Sequence, residues 1–249
     1  MPSTPSSVPG DWYSKGILLI VVLLFSWLLG IKNLILDAVN PATEATESAA
    51  PNILLLVADD LGYNDTSAIN SGGLSTPNLE RLAHEGVTFR RHYADATCTP
   101  SRVAIMTGRY PERSGFRPTG GEIPAEFATI AEQLRQAGYA TYLTGKWHAG
   151  EVRQQAWPHN KGFDRWFGHL EGCIDNFSHF FYWSGPNRHD LWDNGTEVHR
   201  PGEYFPQLMV DRCKQFIDRQ GEKPWMMYWA FNAPHYPYQG TPEWLEYYK

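Results

Sequence analysis

The chain has 249 residues, 42% hydrophobic and 19% charged, an ordinary composition for one sizeable core or most of one. A net charge of −6 with no long basic run excludes nucleic-acid binding through a broad cationic surface, although a local cationic pocket stays open. Ten tryptophans and thirteen tyrosines supply aromatic surface, mostly for a core, with faces that also suit sugar rings or aryl groups in a cleft.

In chain order, residues 16–31 are uncharged and nearly all aliphatic or aromatic, between Lys15 and Lys32. That length is the upper end of a signal-peptide core and slightly short for a membrane span. Residues 1–38 are therefore expected to be a signal peptide, cleaved between 38 and 50, or an uncleaved membrane anchor. Residues 39–50, rich in Ala, Thr, Glu and Ser, read as a polar linker. The globular part is expected over 51–249. The apolar run 52–58 predicts a strand covered on both faces, ending at Asp59-Asp60-Leu61-Gly62. Thr76-Pro77 opens a helix stopped near Gly86, and 87–93 reads as a second strand. Cys98-Thr99-Pro100-Ser101-Arg102 predicts another helix start, with Thr99 as N-cap and Pro100 at the first helical position. Thr129 and Glu132 form a capping box for a helix that stops at Gly138, and 139–143 is a strand leading to Gly145-Lys146-Trp147-His148.

Residues 150–200, rich in Gly, Asn, His and aromatics, read as long irregular loops. Asp193-Asn194-Gly195 reads as a hairpin turn, because Asn-Gly is the strongest short turn signal. A helix over 204–219 and an apolar strand over 225–231 follow, the strand ending at Asn232-Ala233-Pro234-His235. Strands alternating with helices predict an α/β fold, a mostly parallel or mixed central β-sheet flanked by helices. Ionisable groups lie just past three separate strands: Asp59-Asp60, Lys146 with His148, and His235. In open α/β sheets ligands bind beyond the carboxyl ends of strands, so these exits point to one site. Of the three cysteines, Cys173 and Cys213 are free to pair in an oxidising compartment, but the sequence does not give their separation.

The residue types set the chemistry. Adjacent aspartates at a strand end suit a hard cation such as Ca²⁺ or Mg²⁺, although a lone Asp-Asp is more often a solvated turn. Cys98 at a helix N-terminus faces backbone N–H groups that favour negative charge, and Arg102 adds a fixed cation one turn along.

Cys98-Thr99-Pro100-Ser101-Arg102, with Thr107-Gly108-Arg109-Tyr110-Pro111 and Arg113-Ser114-Gly115, resembles the extended signature of the type I sulfatases of the alkaline phosphatase superfamily. Gly145-Lys146-Trp147-His148 resembles that family's G-K-W-H segment, and Ala233-Pro234-His235-Tyr236-Pro237 its A-P-H-x-P segment. The resemblance runs from residue 51 to about 245. It implies that Cys98 is oxidised by a formylglycine-generating maturation enzyme to 3-oxoalanine (formylglycine), whose hydrate attacks the sulfur of a sulfate ester and then releases sulfate. It also implies one divalent cation on Asp59, Asp60 and the residue made from Cys98, with Ca²⁺ ahead of Mg²⁺. Arg102 is then expected to hold the formylglycine and balance charge. Lys146 and His148 should line the sulfate and nucleophile pocket, His235 should contact the sulfate or the leaving oxygen, and histidines with pKa values near neutral should move the protons.

The implied partner is a sulfated small molecule or glycan. The implied location is an exported one (periplasmic, secreted or lysosome-like), with membrane anchoring through 16–31 as the alternative to a cleaved signal. Members of the family continue past A-P-H-x-P through an Asp-Asn metal pair, a further lysine and a smaller C-terminal domain. The 249 residues are therefore expected to be the N-terminal part of a sulfatase catalytic domain or an inactive truncated relative. A phosphonate monoester or phosphodiester hydrolase of the same superfamily is the alternative enzyme.

Overall fold

The computed structural model describes residues 50–70, 74–114 and 120–249. The expected signal or anchor at 1–38 and all of the linker but Ala50 lie outside the described residues. No helix among the described residues is long and apolar enough to cross a membrane.

Among the described residues, eight strands and five α-helices follow in chain order: β1 (Ile53–Asp59), α1 (Pro77–Glu85), α2 (Cys98–Thr107), α3 (Ile130–Gln136), β2 (Ala140–Lys146), β3 (Arg165–His169), β4 (Phe180–Phe181), β5 (Arg188–His189), β6 (Trp192–Asp193), β7 (Thr196–Glu197), α4 (Phe205–Asp218), β8 (Trp225–Pro234) and α5 (Pro242–Tyr247). The main sheet has the order β1-β8-β2-β3-β6-β7, and β4 and β5 form a separate hairpin. The pairs β1–β8, β8–β2 and β2–β3 are parallel, whereas β3–β6 and β6–β7 are antiparallel. The sheet is therefore mixed with a parallel centre, as the alternating pattern implies.

Side chains alternate across the strands and build two cores. On one face Met226, Tyr228 and Ala230 of β8 and Leu143 of β2 pack with Val103 and Met106 of α2, Ala131 of α3, and Trp147, Phe163 and Trp166. On the other, Met227 and Tyr142 pack with Cys213 and Phe216 of α4, and Phe167 of β3 packs with Phe205 and Met209 of the same helix. Each such large apolar side chain contributes about 1.5–3 kcal/mol by leaving water. Helices thus cover both faces of the sheet centre.

At one point the strands approach so closely that only glycine fits. Gly145 of β2 is in register with Gly168 of β3. A Cβ at Gly145 would lie 1.8 Å from the Ala230 carbonyl oxygen, and one at Gly168 would lie 1.9 Å from the Gly145 oxygen, both at positive φ.

Several expectations change. Strand β1 is covered on one face only: Ile53, Leu55 and Val57 join the core, but Leu54 and Leu56 are exposed. The reason is that α4 packs over β2, β3 and β8 and stops short of the sheet's β1 edge. Residues 87–93 form no strand; Val87, Phe89 and Tyr93 are exposed and no strand pairs with them. The stretch 150–200 is not all irregular, since β3 is a buried strand of the main sheet. Cys173 and Cys213 are both free. Cys213 is on the buried face of α4, and burial pushes its thiol up to about 12, whereas Cys173 lines a cleft at the strand ends. The Asn194-Gly195 turn does join β6 to β7, both residues at positive φ as a type I′ hairpin requires. The Thr129–Glu132 capping box closes in both directions.

Candidate active site

The site lies where the parallel strands end. Strand β1 finishes at Asp59, and the chain turns at Asp60 with φ 62°. Strand β2 finishes at Lys146. Beyond it, Trp147 and His148 donate their backbone N–H groups to the carbonyls of His169 and Leu170, at 2.9 and 3.0 Å. Strand β8 finishes at Pro234, immediately before His235. Because these strands run parallel, their carboxyl ends open on one edge of the sheet.

Helix α2 points its N-terminus at the same edge. The N-cap is Thr97, extended at φ −136° and ψ 163°, not Thr99, so Cys98 is the first helical residue and Pro100 the third. Proline fits the first turn because its missing N–H has no partner there anyway. Ser101 Oγ donates to the Thr97 and Asp95 carbonyls, at 2.8 and 3.1 Å, and holds the entry in place. The helix stops at Gly108, whose left-handed conformation returns its N–H to Ala104 O at 2.8 Å. The guanidinium of Arg109 then stacks over Phe127 at 4.5 Å.

Under Cys98 lies a buried charge cluster. Lys146 Nζ donates to Asp59 Oδ2 at 2.5 Å, and Arg102 Nη2 lies 3.2 Å from Asp59 Oδ1. Lys146 is 0% exposed, Arg102 2% and Asp59 4%. Arg102 also donates through Nη1 to the Lys146 carbonyl at 3.0 Å and Tyr228 Oη at 3.2 Å, and through Nη2 to the Phe231 carbonyl at 3.4 Å. Burial works to raise the Asp59 pKa, but Arg102 and Lys146 outweigh it and hold the carboxyl below its usual range. Burial and the Arg102 charge lower the Lys146 pKa even though Asp59 opposes them. Two cations share one carboxylate, so the ionised cluster carries surplus positive charge out of water. Such a site favours an anion.

Cys98, His148 and His235 line one cleft of about 360 Å³, together with Glu151, Glu171, Gly172, Cys173, Phe181 and Trp183. Three segments distant in sequence thus converge on it. A larger hollow of about 520 Å³, between residues 122–126 and 153–156, holds none of the motif residues. Lys146 and Arg102 lie beneath the cleft, against Asp59, and do not line it.

His148 sits at φ 46° with its ring against Gly172, where a Cβ would come within 2.7 Å of the ring. Burial, then the charges of Lys146 and Arg102, push its pKa down to about 3. It is therefore neutral at physiological pH, not a histidine titrating near neutrality, and its Nδ1 is buried without a protein partner. His235 is half-buried; its Nδ1 meets the Tyr236 carbonyl at 2.6 Å, and its Nε2 lies 3.7 Å from Asp60 Oδ2.

Asp59 and Asp60 offer carboxylate oxygens of the kind a hard cation takes, fewer than the six to eight that Ca²⁺ prefers. Asp59 spends its oxygens on Lys146 and Arg102, and Asp60 is exposed and turned toward His235. These two side chains and the Cys98 sulfur do not gather as a three-donor cluster among the described residues. A thiol is also a poorer ligand for a hard cation than an oxygen would be.

Sequence reading missed the cleft residues from 150–200, namely Glu151, Glu171, Gly172, Cys173, Phe181 and Trp183, because no local pattern marks them. It missed Tyr228 as well, which reads as one more apolar position in β8.

Comparison with known proteins gives the family and the fold. The Sulfatase family model matches residues 51–249. Mouse arylsulfatase J is 32% identical over 220 residues, covering 84% of this chain and 37% of that protein. Human N-acetylgalactosamine-6-sulfatase is 35% identical over 221 residues, covering 78% of this chain and 41% of that protein. Among solved structures, Ps i-CgsB in complex with k-i-k-neocarrahexaose aligns with a TM-score of 0.68 at 33% identity, over 78% of this chain and 47% of that one. BT4656, in complex with its substrate D-glucosamine-2-N,6-O-disulfate, aligns with a TM-score of 0.66 at 28% identity, over 80% and 37%. The chain spans about two-fifths of the length of the curated relatives it matches. A family match over the whole described globular part, carried by relatives more than 30% identical, establishes that the chain belongs to the sulfatase family.

Proposed function

We propose that this chain carries the nucleophile-bearing site of an enzyme that hydrolyses sulfate esters of carbohydrate or aryl substrates, with Cys98 as the precursor of the nucleophile. The observation that carries the reading is the convergence of Cys98, His148 and His235 on one cleft above a buried cluster with surplus positive charge. A formylglycine made from Cys98 by a maturation enzyme would, once hydrated, offer a hydroxyl nucleophile, and Asp59 and Asp60 would be the residues to hold a divalent cation, Ca²⁺ ahead of Mg²⁺, that would add positive charge.

The chain's own residues do the rest. The N-terminus of α2 and the Arg102–Lys146 pair favour negative charge on the sulfuryl oxygens. Asp59 keeps both cations fixed, so little reorganisation accompanies the reaction. His148, neutral and lining the cleft, positions a substrate or nucleophile oxygen. His235, its Nδ1–H donated to the Tyr236 carbonyl, keeps Nε2 for contact with the sulfate or the leaving oxygen.

The rim supports a carbohydrate. Trp183 is 68% exposed at the cleft and offers a face for a sugar ring, while Glu151 and Glu171 suit its hydroxyls. N-acetylgalactosamine-6-sulfatase relatives and the BT4656 complex with a sulfated glucosamine point the same way. The uncharged run at 16–31 supports export, with residues 1–38 as signal or anchor, 39–50 as linker and 51–249 as the N-terminal portion of the catalytic domain.

The test uses matched aryl sulfate and aryl phosphonate monoesters, with protein co-produced with a formylglycine-generating enzyme and supplied with Ca²⁺ or Mg²⁺. Faster release of sulfate than of phosphonate supports the reading. The reverse preference transfers the site to phosphonate hydrolysis.

A further inference from the structure

On the side of the β4–β5 hairpin facing away from the cleft, His189 of β5, Glu197 of β7 and His199 bring one ligand atom each within 4.8 Å of one another. They are the one such group of three among the described residues. His189 Nδ1 lies 2.9 Å from Glu197 Oε1, and the His189 and His199 rings stack at 4.2 Å between centroids with 27° between planes. The backbone that presents them is fixed. Val198 N–H donates to Leu191 O and Asp190 N–H to His179 O, both at 2.9 Å, and the Asn194-Gly195 turn closes the hairpin that carries Glu197.

The surroundings suit a cation. The arginines next in sequence to the two histidines have acidic partners of their own: Arg188 pairs with Glu171, and Arg200 lies 3.6 Å from Glu203. His179, beneath His189 with its ring edge-on at 6.3 Å, is fully buried and bonds Glu203 O through Nε2, so it supports the cluster without joining it. The His189 side chain is 8% exposed and that of Glu197 42%, which leaves a solvent side where water completes a coordination shell.

We propose that His189, Glu197 and His199 form a binding site for a borderline divalent ion of the Zn²⁺ class. Two imidazole nitrogens and one carboxylate oxygen, with an open position, are the donor set of a four-coordinate zinc site and a poor set for Ca²⁺ or Mg²⁺. Glu197 and His199 are the two exposed members of the group. The site is chemically distinct from the Asp59–Asp60 carboxylates and independent of Cys98. It also reaches the cleft wall: Arg188, beside His189, pairs with Glu171 and lies 4.3 Å over the Phe181 ring, and both Glu171 and Phe181 line the cleft. An ion here ties β5 to the β6–β7 hairpin and steadies that wall.

The test is calorimetric titration of the metal-free full chain with zinc chloride, with Co²⁺ absorption as a reporter of tetrahedral coordination. Wild type and Cys98→Ala should bind one Zn²⁺ with micromolar affinity. His199→Ala, an exposed change whose fold circular dichroism checks, should weaken binding at least about tenfold and abolish the tetrahedral Co²⁺ spectrum; Glu197→Gln should weaken it less. Absence of Zn²⁺ binding by the wild type, undiminished binding by a folded His199→Ala, or binding lost with Cys98→Ala instead would overturn the proposal. None of these readouts depends on sulfatase activity.

Discussion

Replacing Asp59 by Asn keeps the volume at the end of β1 but removes the one carboxylate that Lys146 and Arg102 share. Both cations are almost fully buried, and Lys146 Nζ sits 2.5 Å from Asp59. Breaking a buried ion pair from one side typically costs about 3–5 kcal/mol, because the charge left behind keeps its desolvation penalty. For a domain of about 150–250 residues that is a fall in Tm of roughly 6–20 °C. The deficit has a defined pH dependence. The Asp59 pKa is lowered from its ordinary 3.8, so its contribution is fully present above 3.8 and fades as pH falls through the lower native value. The Asp59→Asn deficit should therefore be constant from about pH 5 to 8 and shrink in acid. The assay is thermal and urea unfolding of Asp59→Asn, Lys146→Met and the double variant. Removing Lys146 should relieve part of the Asp59→Asn cost, with a coupling of about 1–3 kcal/mol. A loss below about 1 kcal/mol for Asp59→Asn, or strict additivity in the cycle, would refute the shared-carboxylate reasoning.

Gly172→Ala would drive a Cβ to 2.7 Å from the His148 ring, so kcat for sulfate release should fall about tenfold or more with little change in Tm; unchanged kcat would show that the ring position is immaterial. His148, with its pKa pushed to about 3 by burial and then by Lys146 and Arg102, should stay neutral at pH 5 by NMR of its ring nitrogens, and a protonated ring there would contradict its buried placement. Asp190 accepts from the Leu170 and Glu171 N–H groups and from Trp192 Nε1, yet burial raises its pKa to about 6. A raised carboxyl binds its proton more tightly in the folded state, so stability should decline as pH rises from about 4 to 6, a slope that Asp190→Asn removes. Gly145→Ala, with its Cβ at 1.8 Å from the Ala230 oxygen and φ +110°, should abolish soluble folded protein, as read by expression and circular dichroism.

What the sequence made legible follows from locality. Unbroken apolar runs marked β1 and β8, Thr129 with Glu132 marked the start of α3, and Asn194-Gly195 marked a turn, because each signal lies within a few residues of its effect. Cys98, His148 and His235 were legible as motif members, and the parallel topology explains why they meet. Strand β3 was hidden: Arg165-Trp166-Phe167-Gly168-His169 has little strand character alone and pairs with β2 through a glycine-to-glycine approach that only the partner strand explains. The exposed apolar residues at 87–93 looked like a strand because their composition is that of one, but composition does not provide a neighbouring strand. The position of Lys146 beneath the cleft was equally invisible, since its partner Asp59 lies 87 residues away on another strand. The low pKa of His148 depends on burial against Gly172 and on two cations from α2 and β2, none of it encoded at His148 itself.

The most direct test of the central claim is sulfate release from an aryl sulfate by wild type and Cys98→Ala, both co-produced with a formylglycine-generating enzyme and supplied with Ca²⁺. Cys98 is only half-buried at the first position of α2, so the alanine variant should keep its Tm and lose turnover entirely. Sulfate release by a folded Cys98→Ala at the wild-type rate would contradict the account.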